Sequence, residues 1–413
     1  MKSSERLEVA LSRIAAKNGD WHIVTSLDEA RARADALVSD DRHARGAALG
    51  PLDGTLVGVK DNLAVEGLPW TAGIEAYRSR IATRDSAAVA RLRHAGAVIL
   101  GTLNMHEGAL GATTDNPAYG RCANPLAPDH TPGGSSGGSG AAIAAGFMEV
   151  TLGTDTMGSV RIPAAYCGCY GLKPTDGTVP RDGLTLLSPS LDTVGPLAAN
   201  LELLSAAHAV LAALPGKMAR PVPARPRVGV PLQMALSKCE SAVMDAFSGA
   251  RDAIGAHADV VDVDMRAWDP SVALRGGLLI AEAEGAVALS ALLDADTGLG
   301  PNFRRQLEYG CRAESVRILD AFARIRSAKE AALGALREVD LLLLPTAPQR
   351  AFRHGDPVPT NQADFTSLAN FAGLPAISLP VQTDHLPTAV QLLSAPYGEM
   401  TLLKLAADVG AIA

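Results

Sequence analysis

Apolar and polar positions fall into short blocks whose period switches between helix and strand. Near the N-terminus, Leu7, Leu11 and Ile14 repeat at helical spacing, which predicts a short amphipathic helix. Residues 26–38, SLDEARARADALV, read as a second helix with Ser26 as its N-cap. Thr55–Lys60 contains Leu56, Val57 and Val59 and reads as a buried strand ending at Lys60. A helix over 85–95 opens at Asp85 and Ser86 and closes at Gly96, and Ala97–Leu100 follows as a strand. Helix, glycine, strand is the grammar of α/β proteins. Residues 120–140 read as loop, Ala141–Ala145 as helix and Met148–Leu152 as strand. A helix over 201–213 stops at Pro215, and the proline-rich, basic stretch 215–227 reads as a linker before a strand at Val228–Val230. Long helical patterns follow over 239–256, 272–296 and 303–338, and Leu341–Leu344 returns to strand.

Composition narrows the class. The 413 residues are 47% hydrophobic and 20% charged, enough apolar surface for a large core, which excludes a disordered or fibrous chain. The formal net charge of -7 gives no reason to expect nucleic acid or an anionic membrane as partner. No run of about 18 apolar residues occurs, so no spanning helix is expected. The N-terminal segment lacks the apolar stretch of a signal peptide. Cys122, Cys167, Cys169, Cys239 and Cys311 are an odd set without metal-type spacing, which reads as a reduced, cytoplasmic protein. Cys167 and Cys169 read as buried structural thiols. The nine histidines show no ligand spacing, so no metal is expected. Aromatic residues are only 4% while glycine numbers 40. Backbones must therefore pack closely, and a pocket lined by Met, Thr and aliphatic side chains suits a small or flexible substrate.

Three segments could carry chemistry. In the first, Val57-Gly58-Val59-Lys60-Asp61-Asn62, a lysine ends an apolar strand, and open α/β sheets build sites at strand ends. Alone, it also fits a lysine reaching out to solvent. The second is Pro132-Gly133-Gly134-Ser135-Ser136-Gly137-Gly138-Ser139-Gly140 before an apolar helix. It lacks the Gly-Lys-Ser/Thr ending of a phosphate loop. Gly134 to Gly138 fits G-x-S-x-G in form, but a nucleophile elbow follows a strand, and Asp129-His130-Thr131-Pro132 is poor strand material. The third is Gly153-Thr154-Asp155-Thr156-Met157-Gly158-Ser159-Val160-Arg161-Ile162-Pro163, directly after a strand. A serine in such a turn lies beside successive backbone N–H groups, the makings of an oxyanion hole. It also reads as an ordinary turn.

Taken together, the order Lys60, Ser135, Ser159 in this wording resembles the amidase signature family of Ser-cisSer-Lys amidohydrolases. Ser135 and Ser159 lie 24 residues apart, and the likeness continues through Tyr166-Cys167-Gly168, Gly171-Leu172-Lys173-Pro174-Thr175, Ser190–Pro196 and Gly373–Pro380. It is dense over 51–200, thinner over 215–340 and returns after 340. It implies an α/β fold with a central mixed sheet of about eleven strands covered by helices on both faces. The whole of 1–413 would be one amidase domain, with a catalytic core near 51–200, a substrate-shaping helical region near 215–340 and a returning core segment near 340–413.

The resemblance implies Ser159 as nucleophile, Ser135 as bridging serine after a cis peptide from Gly134, and Lys60 as base. A serine hydroxyl needs a base to take its proton, and a lysine serves only when burial keeps it neutral. The backbone N–H groups of Thr156, Met157, Gly158 and Ser159 would form the oxyanion hole, while Ser136, Asp155 and Arg161 would hold the loop and the lysine network. Met105, Thr114 and Met157 are expected to border the pocket. The reaction would cut a carbon–nitrogen bond of a small-molecule amide or carbamoyl compound through an acyl-enzyme, without cofactor. A homodimer is an expected assembly.

Departures from the family wording matter. Met157 replaces a glycine common before the nucleophile, and Arg161-Ile162-Pro163 differs from the Arg-Gln-Pro common in the glutamyl-tRNA amidotransferase A subunit. Gly108 replaces a common phenylalanine, which is expected to open space on the acyl side. These points favour a stand-alone amidase, and 95–200 resembles bacterial amidases of small amides such as the carboxybiuret hydrolase branch. The alternative is a glutamine-hydrolysing A subunit of a glutamyl-tRNA amidotransferase-like complex. His106 is expected not to be catalytic.

Overall fold

Leu7, Leu11 and Ile14 are buried, so the first apolar stripe forms the inner face of α1 (Ser3–Trp21). The computed structural model describes all residues except 213–219, 296, 384–385 and 413. β1 (Val24–Leu27) follows, then α2 (Glu29–Ala44). Ser26 lies inside β1 and does not cap the helix; the Asp28 carboxylate does, accepting the Arg31 N–H. β2 (Leu56–Lys60), α3 (Ala87–His94) and β3 (Val98–Leu103) come next, with Ser86 accepting the Val89 N–H as N-cap of α3. A short hairpin pairs β4 (Asp115–Asn116) with β5 (Gly120–Arg121).

α4 (Gly137–Ala144) begins inside the glycine-rich segment, four residues before the expected start at Ala141. Glycine at 138 lets this first turn lie directly against the backbone of Asn104, where a Cβ would collide with the carbonyl oxygen. β6 (Val150–Asp155), α5 (Arg161–Cys167), β7 (Tyr170–Lys173), β8 (Thr193–Ala198) and α6 (Leu201–Leu211) complete the first half. The expected helix stop at Pro215, and part of the 215–227 linker, lie outside the described residues; 220–226 carry neither helix nor strand.

The second half holds β9 (Arg227–Pro231), α7 (Ser241–Gly255), β10 (Asp259–Val263), α8 (Pro270–Ala288), α9 (Ser290–Ala295), α10 (Pro301–Cys311) and α11 (Ser315–Ala335). Two expected long helices are therefore each broken. The 272–296 pattern breaks at Leu289, and the 303–338 pattern breaks where Glu314 adopts extended backbone as the N-cap of α11. β11 (Leu341–Pro345), α12 (Ser367–Ala372), β12 (Ala376–Val381), β13 (Thr388–Ser394) and α13 (Glu399–Val409) end the chain.

Eleven strands form one mixed sheet in the order β1-β3-β2-β6-β8-β7-β12-β13-β11-β9-β10. β2 lies parallel to both β3 and β6, whereas β6 and β8 are antiparallel. Side chains alternate across the sheet. Val57 and Val59 pack with Val89, Leu92 and Leu204 on one face; Leu56 packs with Leu7, Leu11 and Ile143 on the other. A third apolar cluster joins α8, α10, α11 and α12. Because β2 and β6 run parallel side by side, Lys60 and Asp155 finish at the same edge of the sheet, where open α/β sheets place their ligands. No helix among the described residues is long and apolar enough to cross a membrane.

Candidate active site

Lys60 is fully buried at the end of β2. Its Nζ donates to Ser135 Oγ at 2.7 Å and to Thr154 Oγ1 at 2.8 Å. Asn62 Nδ2 donates to the same threonine oxygen at 3.0 Å, fixing the hydroxyl that receives the amine. No carboxylate pairs with Lys60 among the described residues. Burial pulls its pKa down to about 7, against the smaller upward pull of Asp192 and Asp155. A substantial neutral fraction near pH 7 follows.

Ser135 follows a cis peptide bond from Gly134. The loop is fastened on both sides: the His106 N–H donates to the Ser135 carbonyl at 3.0 Å, and the Ser136 N–H donates to the Ser159 carbonyl at 3.2 Å. The latter bond ties the two serine segments together. Ser136 Oγ donates to the Thr154 carbonyl at 3.1 Å, locking the loop to the end of β6.

The 155–161 turn is organised by one buried carboxylate. Asp155 accepts the Gly158 N–H at 2.6 Å and the Val160 N–H at 3.2 Å. Arg161 closes on it with Nε and Nη2, each at 3.0 Å. The guanidinium is satisfied further by Gln391 Oε1 and Asn370 Oδ1, both at 2.8 Å. These donors outweigh desolvation and hold the Asp155 carboxyl below its usual range, although burial is the largest single influence and acts upward. The expected oxyanion donor at Gly158 is thereby removed: its amide points at Asp155. The amides of Thr156, Met157 and Ser159 are the remaining members of that set.

Ser159 opens onto a cavity of 380 Å³ whose wall includes Gly134, Thr156, Met157, Ile162, Leu274 and Leu278. Of the three expected pocket side chains, only Met157 lines it. Met105 is fully buried among the apolar residues of the α8–α12 cluster. Thr114 is also fully buried, and its hydroxyl donates to the Gly133 carbonyl and accepts the Gly137 N–H, bracing the glycine loop from behind. The space expected beside Gly108 is filled. Gly108 has φ +57, and any Cβ there would enter the ring of Phe303, which is 2% exposed on α10. A ring from the helical region thus occupies the place that a phenylalanine at 108 would take. Cys167 and Cys169 are buried, and burial pushes both thiols up, Cys169 to about 12.

Several contributors were not singled out from sequence. Thr154 supplies the second acceptor for Lys60. Asp192 accepts Thr156 Oγ1 at 2.6 Å and the N–H groups of Leu187 and Ser188, and burial raises its carboxyl. Asn370 Nδ2 donates to the Asp155 carbonyl at 2.8 Å, and Thr366 Oγ1 to the Met157 carbonyl at 2.7 Å, so α12 and its N-cap prop the turn. Thr154 and Asp192 lay in motif segments without a role assigned to them; Thr366 and Asn370 come from tertiary pairing.

Comparison with known proteins shows what the chain is similar to. The family model described as Amidase matches residues 5–403. The chain is 36% identical to the A subunit of the glutamyl-tRNA(Gln) amidotransferase of Anaeromyxobacter sp. (strain K), over 98% of this chain and 92% of that protein. It superposes with a TM-score of 0.91 and 32% identity on an inhibitor-bound chain from a vestigial protein complex that reveals the evolutionary origins of an s-triazine catabolic enzyme, covering 100% of this chain and 96% of that one. The A subunit of the Thermotoga maritima glutamyl-tRNA(Gln) amidotransferase gives a TM-score of 0.80 at 25% identity, covering 98% of this chain and 93% of that one.

Proposed function

The chain belongs to the amidase family, and from that premise we propose that it hydrolyses the carbon–nitrogen bond of a small-molecule amide through Ser159, Ser135 and Lys60. The observation that carries the reading is the buried Lys60 amine, unpaired with any carboxylate among the described residues and 2.7 Å from Ser135 Oγ. Neutral Lys60 takes a proton from Ser135 as Ser135 takes one from Ser159. Ser159 Oγ then bonds to the substrate carbonyl carbon, and the oxyanion is held by the amides of Thr156, Met157 and Ser159, each such donor being typically worth about 3 kcal/mol. The proton returns through Ser135 to the leaving nitrogen, the C–N bond breaks, and water resolves the acyl-Ser159 ester. No residue needs a metal in this sequence of steps.

A second reading, as the glutamine-hydrolysing component of a larger complex, draws on the 36% identity to an amidotransferase A subunit. The wall around Ser159 favours the first. It contains no ionisable side chain, and glutamine brings an ammonium and a carboxylate that such a wall leaves unpaired. The same reading treats 1–413 as one catalytic unit, since β2 and β13 share a sheet. A fluorophosphonate probe tests the nucleophile: labelling is expected in the wild type and lost in Ser159→Ala together with amide turnover. Labelling or turnover that survives Ser159→Ala sinks the assignment. Preference for glutamine over simple aliphatic amides would decide for the second reading.

A further inference from the structure

One buried carboxylate joins the wall of the Ser159 cavity to the turn that carries the nucleophile. Asp192 is 3% exposed and stands immediately before β8. Its side-chain partners among the described residues are all donors. Oδ1 accepts the Thr156 hydroxyl at 2.6 Å, and Oδ2 accepts the N–H groups of Leu187 and Ser188 at 2.8 and 3.0 Å. Three donors converging on two oxygens suit the ionised carboxylate, against the upward push of burial. Thr156 and Leu187 both line the cavity at Ser159. The first supplies an oxyanion donor and the second belongs to the apolar wall.

The wall segment has no helix or strand of its own over 185–192, so side chains must place it. Glu284 on α8 accepts the Ser188 hydroxyl and, at 3.1 Å, the Ser190 N–H. Asp192 takes the amides on the cavity side, and its own N–H donates to the Ser188 carbonyl at 2.9 Å. An asparagine could not accept on both sides, because one of its two terminal atoms is a donor.

We propose that Asp192 is a positioning residue for the reaction at Ser159, its carboxylate holding the Thr156 donor and the Leu187 wall in one register so that the acyl group and the developing oxyanion meet a single frame. This rests on the reading of Ser159, Ser135 and Lys60 given above and extends it to a fourth side chain. A consequence follows for the base. Against the lowering by burial, Asp192 is the stronger of the two charges that hold the Lys60 amine up, ahead of Asp155. Without that charge the ammonium of Lys60 is less favoured, and the amine is neutral at lower pH. The other charged or titratable groups around the pair are His106, which burial pulls down to about 4, Arg181, whose Nη1 donates to the Asp192 carbonyl at 3.3 Å, and Arg161 and Lys173, whose charges act on Asp155.

The test is the rate at which a fluorophosphonate labels Ser159, which uses the nucleophile, the base and the oxyanion donors without any amide. In Asp192→Asn the rate is expected to fall by about ten- to a hundredfold, the scale of a misplaced group, and its acid limb to move down by about half a pH unit or more. Asp61 titrates in the same range but is held by Thr71, Gly73 and the Arg80 charge, so its own step stays in place. Thr156→Val removes only the hydroxyl that Asp192 holds; labelling should slow by about tenfold with the acid limb unmoved. A merely structural Asp192 would slow labelling and leave the limb where it is. An unmoved limb in Asp192→Asn, or a Thr156→Val protein that labels at the wild-type rate, overturns the proposal, and the second arm decides alone where circular dichroism shows that Asp192→Asn does not fold. The expected labelling pattern in a protein that turns over no amide would leave Asp192 in its role and bring down the hydrolase reading alone. Amide turnover that needs Ser159 but is unchanged in Thr156→Val would do the reverse.

Discussion

Two strand ends in this protein each carry a fully buried lysine, and their surroundings differ in one respect that matters. Lys60 ends β2 and Lys173 ends β7. Burial lowers both amines, Lys60 to about 7 and Lys173 to about 8. Around Lys173, Arg161 adds to the lowering while Asp155, Asp176 and Glu399 oppose it. The acceptors, however, are not alike. Lys173 Nζ donates to the Pro174 carbonyl at 2.8 Å, an oxygen with no proton to give back. Lys60 Nζ meets two hydroxyls, one of them on the Ser135 loop beside Ser159. Desolvation prepares a lysine for base chemistry, and a hydroxyl neighbour is what lets it act.

That contrast can be broken by experiment. The largest expected effect is Lys60→Met, which should lower kcat/KM by about 10² to 10⁴, the range of a general base. Retained activity would erase the distinction between the two lysines. Next comes pH. Because the Lys60 pKa lies near 7 and the neutral form accepts the proton, kcat/KM should rise with pH up to about 7 and fall about tenfold per unit below it. An acid limb extending toward 10 would mean that Lys60 keeps an ordinary amine. Asp61 is also raised to about 7 by burial, although Thr71 bonds to it, so the profile of Asp61→Asn separates the two groups. The smallest effect is expected for Lys173→Met, less than about tenfold on kcat/KM with the acid limb unmoved, since its Nζ meets the Pro174 carbonyl and not the Ser135 loop. A shift of that limb would show that Lys173 takes part in the titration seen at Lys60.

The elements nearest the site were the most legible in the sequence. An apolar run stopping at a lysine is a strong strand-end signal, and β2 ends at Lys60 as its pattern predicts. β8 and β12 are harder, because proline and glycine interrupt runs that are buried almost throughout, as in Thr193-Val194-Gly195-Pro196. The break between α10 and α11 has no proline or glycine at Arg312, Ala313 or Glu314 to announce it. At the site, the serine and lysine positions came with motif wording. What the wording leaves out is orientation: which amides face Asp155, and which side chains from α12 reach the turn. Those follow from packing between segments far apart in the chain, and no local pattern encodes them.

The meeting of Phe303 with Gly108 has a consequence for how such a protein can change over evolutionary time. The two positions form a lock that admits one ring, so they cannot drift independently: a large residue at 108 requires a small one at 303 and a reseated α10. Everything that α10 presents to the cavity at Ser159, Gln306 included, is seated in part by this fitting and lies outside the segments that hold Lys60, Ser135 and Ser159. Selectivity can therefore be rewritten on one exchangeable helix while the reaction machinery is inherited intact.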